Sequence, residues 1–162
     1  MINYIYQLVS PQVFSVKYQD IYASDNILVR PRYMAICHAD QRYYLGKRDH
    51  KILKKKLPMA LIHECCGEVV YDPTNTFEIG ELVVLIPNEP VEKSDVIYEN
   101  YLKSSKFKSS GHDGFMREYI DMPIDRVVSV KSIPPKIAAI TEFISVAVHA
   151  ASRFGLIAHD IR

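Results

Sequence analysis

The sequence predicts a mainly β chain with a few helices, arranged as an antiparallel barrel or sandwich. Short runs rich in Val, Ile and Tyr recur at close spacing, turn-forming residues separate them, and only two stretches break that pattern in favour of a helix. With 162 residues, 48% of them hydrophobic, the chain describes one ordinary domain with enough apolar material for a core.

In chain order, Ile2 to Val9, Val13 to Tyr18 and Ile27 to Ile36 read as strands, separated by Ser10-Pro11 and Ser24-Asp25-Asn26. His38 to Gly46 has an acid near its start, Asp40, and a glycine at its end, so it reads as a short helix that aims Cys37 from a strand end into a cleft. The basic run Lys51 to Lys56 reads as a solvated loop, and Lys103 to Lys108 is ambiguous. Glu68 to Tyr71, Leu82 to Ile86, Phe115 to Ile120 and Val127 to Val130 read as further strands, with Asp72-Pro73 and Ile79-Gly80-Glu81 as turns. From Pro135 on, Ile140, Phe143, Ile144, Ala147, Val148 and Ala151 recur at spacings of three and four, which predicts an amphipathic helix with Gly155 as its stop.

Several function classes are disfavoured. A formal net charge of +1 gives no global argument for nucleic acid or membrane binding. No run approaches the ~20 apolar residues of a membrane span, and the N-terminus lacks the pattern of a secretion signal. Three cysteines, an odd number, argue against a disulfide framework, and the chain is expected to be cytoplasmic.

The chemistry concentrates in Cys37-His38-Ala39-Asp40-Gln41-Arg42-Tyr43-Tyr44 and in His63-Glu64. A thiolate, an imidazole and carboxylates are the borderline-soft mix that suits zinc. Paired Cys-x2-Cys ligands of a structural finger are absent, whereas a catalytic zinc needs only three ligands from separate segments and one open position. A lone cysteine after an apolar run also reads as a small buried hydrophobe, so spacing by itself leaves both readings open. Cys65 and Cys66, just before Gly67, are most simply core residues.

Longer segments narrow the choice. Pro58, His63, Glu64, Gly67 and Val69 fall on a Pro-x-x-x-Gly-His-Glu-x-x-Gly-x-Val pattern, with Ile62 where the pattern has its glycine. Together with Phe77-Glu78-Ile79-Gly80-Glu81-Leu82-Val83 and Gly114-Phe115-Met116-Arg117-Glu118-Tyr119, this resembles the zinc-dependent medium-chain alcohol and polyol dehydrogenases. The segment around Cys37, Glu99-Asn100-Tyr101-Leu102-Lys103-Ser104-Ser105 and Ser110-Gly111-His112-Asp113-Gly114 is similar to a narrower group, the bacterial ribulose-5-phosphate reductases.

The resemblance implies a GroES-like β-barrel catalytic domain over residues 1–133 and a helical connection over 134–162 towards a nucleotide-binding domain. No Gly-x-Gly-x-x-Gly occurs, so the chain is expected to be a fragment without the main site for its hydride donor. It also implies one catalytic zinc on Cys37 and His63, with Glu142 as third ligand and Glu64 as its competitor, and Asp40 behind the ligands. Ala39 stands where many alcohol dehydrogenases carry a Ser or Thr proton relay, which makes Tyr43 or water the candidate. Arg42 and Arg48 are candidates for a substrate phosphate. For a full-length enzyme the implied function is NADP(H)-dependent reduction of ribulose 5-phosphate to ribitol 5-phosphate, supplying CDP-ribitol for teichoic acid or capsule synthesis. A homodimer and a cytidylyltransferase partner belong to the same expectation. No cysteine lies between Asn88 and His112, so a second, structural zinc is not expected. A polyol dehydrogenase of other specificity, or a metal-free GroES-like binding module, are the alternatives.

Overall fold

The computed structural model describes residues 1–22, 25–93 and 101–160, the last five as helix backbone. Ser24 of the Ser24-Asp25-Asn26 turn and the Glu99-Asn100 pair fall outside the described residues.

Three strands open the chain: β1 (Ile2–Ser10), β2 (Val13–Asp20) and β3 (Ile27–Ala35). Two short helices follow, α1 (His38–Tyr44) and α2 (His50–Lys56), and then β4 (Met59–Ala60), β5 (Glu64–Tyr71) and β6 (Leu82–Leu85). Among the described residues the remaining strands are β7 (Asn88–Glu89), β8 (Lys106–Phe107), β9 (Ile120–Met122) and β10 (Val127–Ser129). Helices α3 (Pro135–Ala138) and α4 (Thr141–Asp160) end the described chain. The strands form an antiparallel sheet in the order β10-β6-β5-β3-β9, a second in the order β2-β1-β4, and the β7-β8 pair.

Alternation explains the start of β1, where Asn3 and Ile5 turn inward; Leu8 is buried out of that period, next to a register shift in the β1–β2 pairing. By contrast β5 buries both faces over its first four residues, Glu64 to Gly67, which masks the period-two signal. This strand begins four residues before its predicted start. Gly67 permits the close β3–β5 approach, since a Cβ there would stand 2.6 Å from the Arg30 carbonyl oxygen.

Three other expectations need correction. Phe115 to Ile120 is a barrel corner, not a strand. Its backbone meets β1 through an isolated bridge, Ile5 with Arg117, before β9 joins β3 at Ile120. Changing partners within a few residues prevents a continuous ladder. Lys51 to Lys56 is helical, capped by Asp49, whose carboxylate accepts from the Lys51 N–H at 2.8 Å; three lysines in the last turn complement the helix dipole. The region after Pro135 holds two helices, and α4 runs through Gly155 to Asp160. A glycine inside a helix costs only about 1 kcal/mol, too little to end one that its neighbours extend.

The main core gathers Leu8, Ile27, Val29, Met59, Val69, Val83, Phe115, Ile120 and Met122 from both larger sheets. Phe115, wholly buried at the corner, is worth about 2–3 kcal/mol in transfer free energy. Cys65 and Cys66 are buried core residues, as read from the sequence.

Candidate functional site

Cys37 lies two residues past the end of β3 and caps α1. Its sulfur accepts from the Ala39 N–H at 3.2 Å, and the Asp40 carboxylate returns to the Cys37 N–H at 3.1 Å, a reciprocal capping box built on a thiol. The other oxygen of Asp40 accepts from the Ile62 N–H at 2.9 Å. One buried carboxylate thus ties the segment carrying Cys37 to the segment carrying His63.

His63 comes last before β5, and its Nε2 lies 3.3 Å from the Cys37 sulfur. Its Nδ1 is 2.7 Å from Ser109 Oγ, and the Phe107 ring meets the imidazole edge-on with centroids 5.3 Å apart. Glu64 opens β5, and Glu142 lies in the first turn of α4. Ligand atoms of Cys37, Asp40 and His63 fall within 4.8 Å of one another, and so do those of His63, Glu64 and Glu142. His63 is common to both groups, so a sulfur and several carboxylate oxygens gather around one imidazole.

The electrostatics agree with a cation site. Burial pushes the Glu64 carboxyl above its ordinary value, and the facing Glu142 raises it further, partly offset by His63. Burial likewise raises Glu142 and, with the Asp40 charge adding to it, the Cys37 thiol. Three potential anions raised in this way are stabilised together by a divalent cation placed among them. Both Asp40 oxygens already hold backbone N–H groups, which suits Asp40 to orienting the ligands. The set of one thiolate, one imidazole and one or two carboxylates fits zinc.

The other predicted residues sit further out. Tyr43 is buried in the main core beneath the Arg48 guanidinium, 4.6 Å from its ring centroid. Arg42 is exposed and donates Nε to the Lys47 carbonyl at 3.2 Å, while Arg48 Nε is buried without a hydrogen-bond partner among the described residues. Ser109 escaped the sequence reading. Its local signal was only a Ser-Ser-Gly turn 46 positions from His63, and nothing local reports a contact of that span.

The sequence profile of the alcohol dehydrogenase GroES-like domain matches residues 23–132. The chain belongs to this family. This GroES-like domain is 56% identical to a ribulose-5-phosphate reductase of Streptococcus pneumoniae, matching 100% of the chain and 48% of that relative. A ribulose-5-phosphate reductase of Bacillus spizizenii is 55% identical, again over 100% of the chain and 48% of the relative. The chain therefore spans about half the length of the curated relatives it matches. Among solved structures, Staphylococcus aureus TarJ in complex with NADPH superimposes with a TM-score of 0.76 at 42% identity, covering 95% of the chain and 42% of TarJ. L-idonate 5-dehydrogenase from Escherichia coli, 24% identical, shares the fold with a TM-score of 0.83 over 94% of the chain and 46% of its own.

Proposed function

We propose that this domain is the zinc-holding catalytic half of an NADPH-dependent reductase that converts ribulose 5-phosphate to ribitol 5-phosphate. The clustering of Cys37 on one side and of Glu64 and Glu142 on the other around His63 carries this reading. The reductase relatives at 55–56% identity supply its substrate, and the NADPH-bound TarJ its cofactor.

Cys37 as thiolate and His63 through Nε2 are the first two ligands. Glu142, half-buried at the start of α4, is the third, and Glu64 stands behind it as an exchangeable fourth. When bound, zinc supplies Lewis acidity towards a carbonyl oxygen. The protein's own residues do the rest. Asp40 holds the two ligand segments at a constant distance, and the half-buried site restricts water around the reacting carbonyl. A bound nicotinamide would supply hydride to the C2 carbon of the ketose, and the proton for its oxygen would come from water, because Tyr43 is buried in the core beneath Arg48. Arg48 and Arg42 are assigned to the phosphate, whose oxygens a guanidinium matches in bidentate fashion. A homodimer and a cytidylyltransferase that consumes the product complete the proposal for the longer protein.

Elemental analysis of the purified chain and of Cys37→Ala tests the metal site. About one zinc per chain, lost in the variant, is the expected result; no zinc in either removes the dehydrogenase reading of these residues for the isolated domain. In the longer protein, ribulose 5-phosphate reduction with NADPH should disappear in Cys37→Ala and show a raised KM in Arg48→Gln. A zinc-bound protein that prefers a non-phosphorylated polyol would overturn the substrate assignment and leave the metal site standing.

A further inference from the structure

The turn that follows β8 carries one buried side chain for which the dehydrogenase reading has no use. Ser109 is 4% exposed, and its Oγ approaches Nδ1 of His63 to 2.7 Å. It does so at φ 59°, a left-handed conformation that costs a residue with a side chain about 1–2 kcal/mol. Glycine would make the same turn without that cost. A serine therefore holds strain at this position, directly against a buried imidazole, and such strain persists where the surroundings over-determine it. Those surroundings are visible: Ser109 N–H donates to the His112 carbonyl at 3.0 Å, and Lys56 Nζ at the end of α2 donates to Ser110 Oγ at 2.6 Å.

Asp40 is the rival partner for Nδ1. Its nearer oxygen lies 3.9 Å away, beyond hydrogen-bond reach, and is already engaged by the Ile62 N–H.

We propose that Ser109 is the positioning residue that fixes the tautomer and ring orientation of His63. Nδ1–H donates to Ser109 Oγ, which leaves the Nε2 lone pair aimed into the space it shares with the Cys37 sulfur, 3.3 Å away. The inference rests on the metal reading above, because a ligating histidine needs a partner on its second nitrogen. A hydroxyl in that place orients the ring without adding another negative charge to a site that already gathers a thiol and two carboxylates.

Two substitutions test it, Ser109→Ala and Ser109→Gly. Both delete the hydroxyl, but glycine also relieves the backbone. The readouts are the ¹⁵N signals of the His63 ring in the metal-free chain and the zinc affinity by chelator competition. In the native chain His63 should be the Nδ1–H tautomer. Both variants should lose that preference and bind zinc about 10–100-fold more weakly. Recovery of native affinity in Ser109→Gly would assign the alanine effect to strain and overturn the proposal. An unchanged His63 signal in both variants, or an Nε2–H tautomer in the native chain, would do the same. If the native chain binds no zinc yet shows the Ser109-dependent tautomer, the metal reading falls and the positioning role stands.

Discussion

Ile62 shows how one residue can keep a backbone conformation that its side chain opposes. The family pattern has glycine before the histidine, and this chain has a β-branched residue at φ 70°. Three contacts hold it there: its N–H donates to Asp40, its carbonyl accepts from Phe115 N–H at 2.7 Å, and its side chain joins the core. Burial of an isoleucine is worth about 1.5–3 kcal/mol, enough to offset a left-handed penalty of about 1–2 kcal/mol. The usual order of substitutions should therefore invert. Ile62→Ala loses burial and keeps the strain, whereas Ile62→Gly loses burial and sheds it, so glycine should be less destabilising than alanine by about 1 kcal/mol. Urea unfolding of both variants checks the order; alanine as the more stable of the two would mean that Ile62 is not strained.

The element that joins β5 to β6 is organised by one carboxylate. Asp72 accepts from Thr74 N–H, Thr74 Oγ1, Thr76 N–H and Phe77 N–H, all at 2.7–2.8 Å. Desolvation alone would raise its pKa, but the four donors together outweigh it and hold the carboxyl below its ordinary value of 3.8. The ionised form is the one the loop binds. The stabilisation is therefore complete above the unfolded value, near pH 4, and is lost as pH falls through the lower native value. Asp72→Ala should cost about 1 kcal/mol at pH 7, and the gap from the native chain should close below that lower value. A gap unchanged down to pH 2 would show that the carboxylate charge plays no part. Helix α2 is organised in the same local way by Asp49, yet its basic run resembles a solvated loop when only charge is read.

At the scale of the whole molecule, the two larger sheets and the candidate site meet at one corner. Gly114 N–H donates to the Ala60 carbonyl at 2.8 Å, and Phe115 behind it fills the core. A Cβ on Gly114 would stand 2.3 Å from the Ile62 carbonyl oxygen and 2.4 Å from that of Leu61. Gly114→Ala must push the segment carrying His63 away from the corner. It should lower stability by about 1–3 kcal/mol and weaken zinc uptake in the same variant. Calorimetry with chelator competition measures both; full zinc affinity in a destabilised variant would separate the corner from the site.

Periodicity and turn chemistry were enough for the first three strands, β6, β10 and the start of α1, because each is decided by residues close in sequence. Cys37 and His63 were legible as candidate ligands because the motifs carrying them are local. What required the tertiary structure is everything set by contacts across the chain. The corner at Phe115 changes sheets, β5 hides its period by burying both faces at its start, and α4 continues past Gly155. The same holds for the distance between Cys37 and His63, the tether of Asp40 to Ile62, and the hydroxyl of Ser109 against an imidazole 46 residues earlier. The sequence by itself determined which donor atoms the chain owns and which turns it can make. Only the closed sheets decided which of those atoms meet, because long-range pairing depends on the summed packing of many residues and not on any one of them.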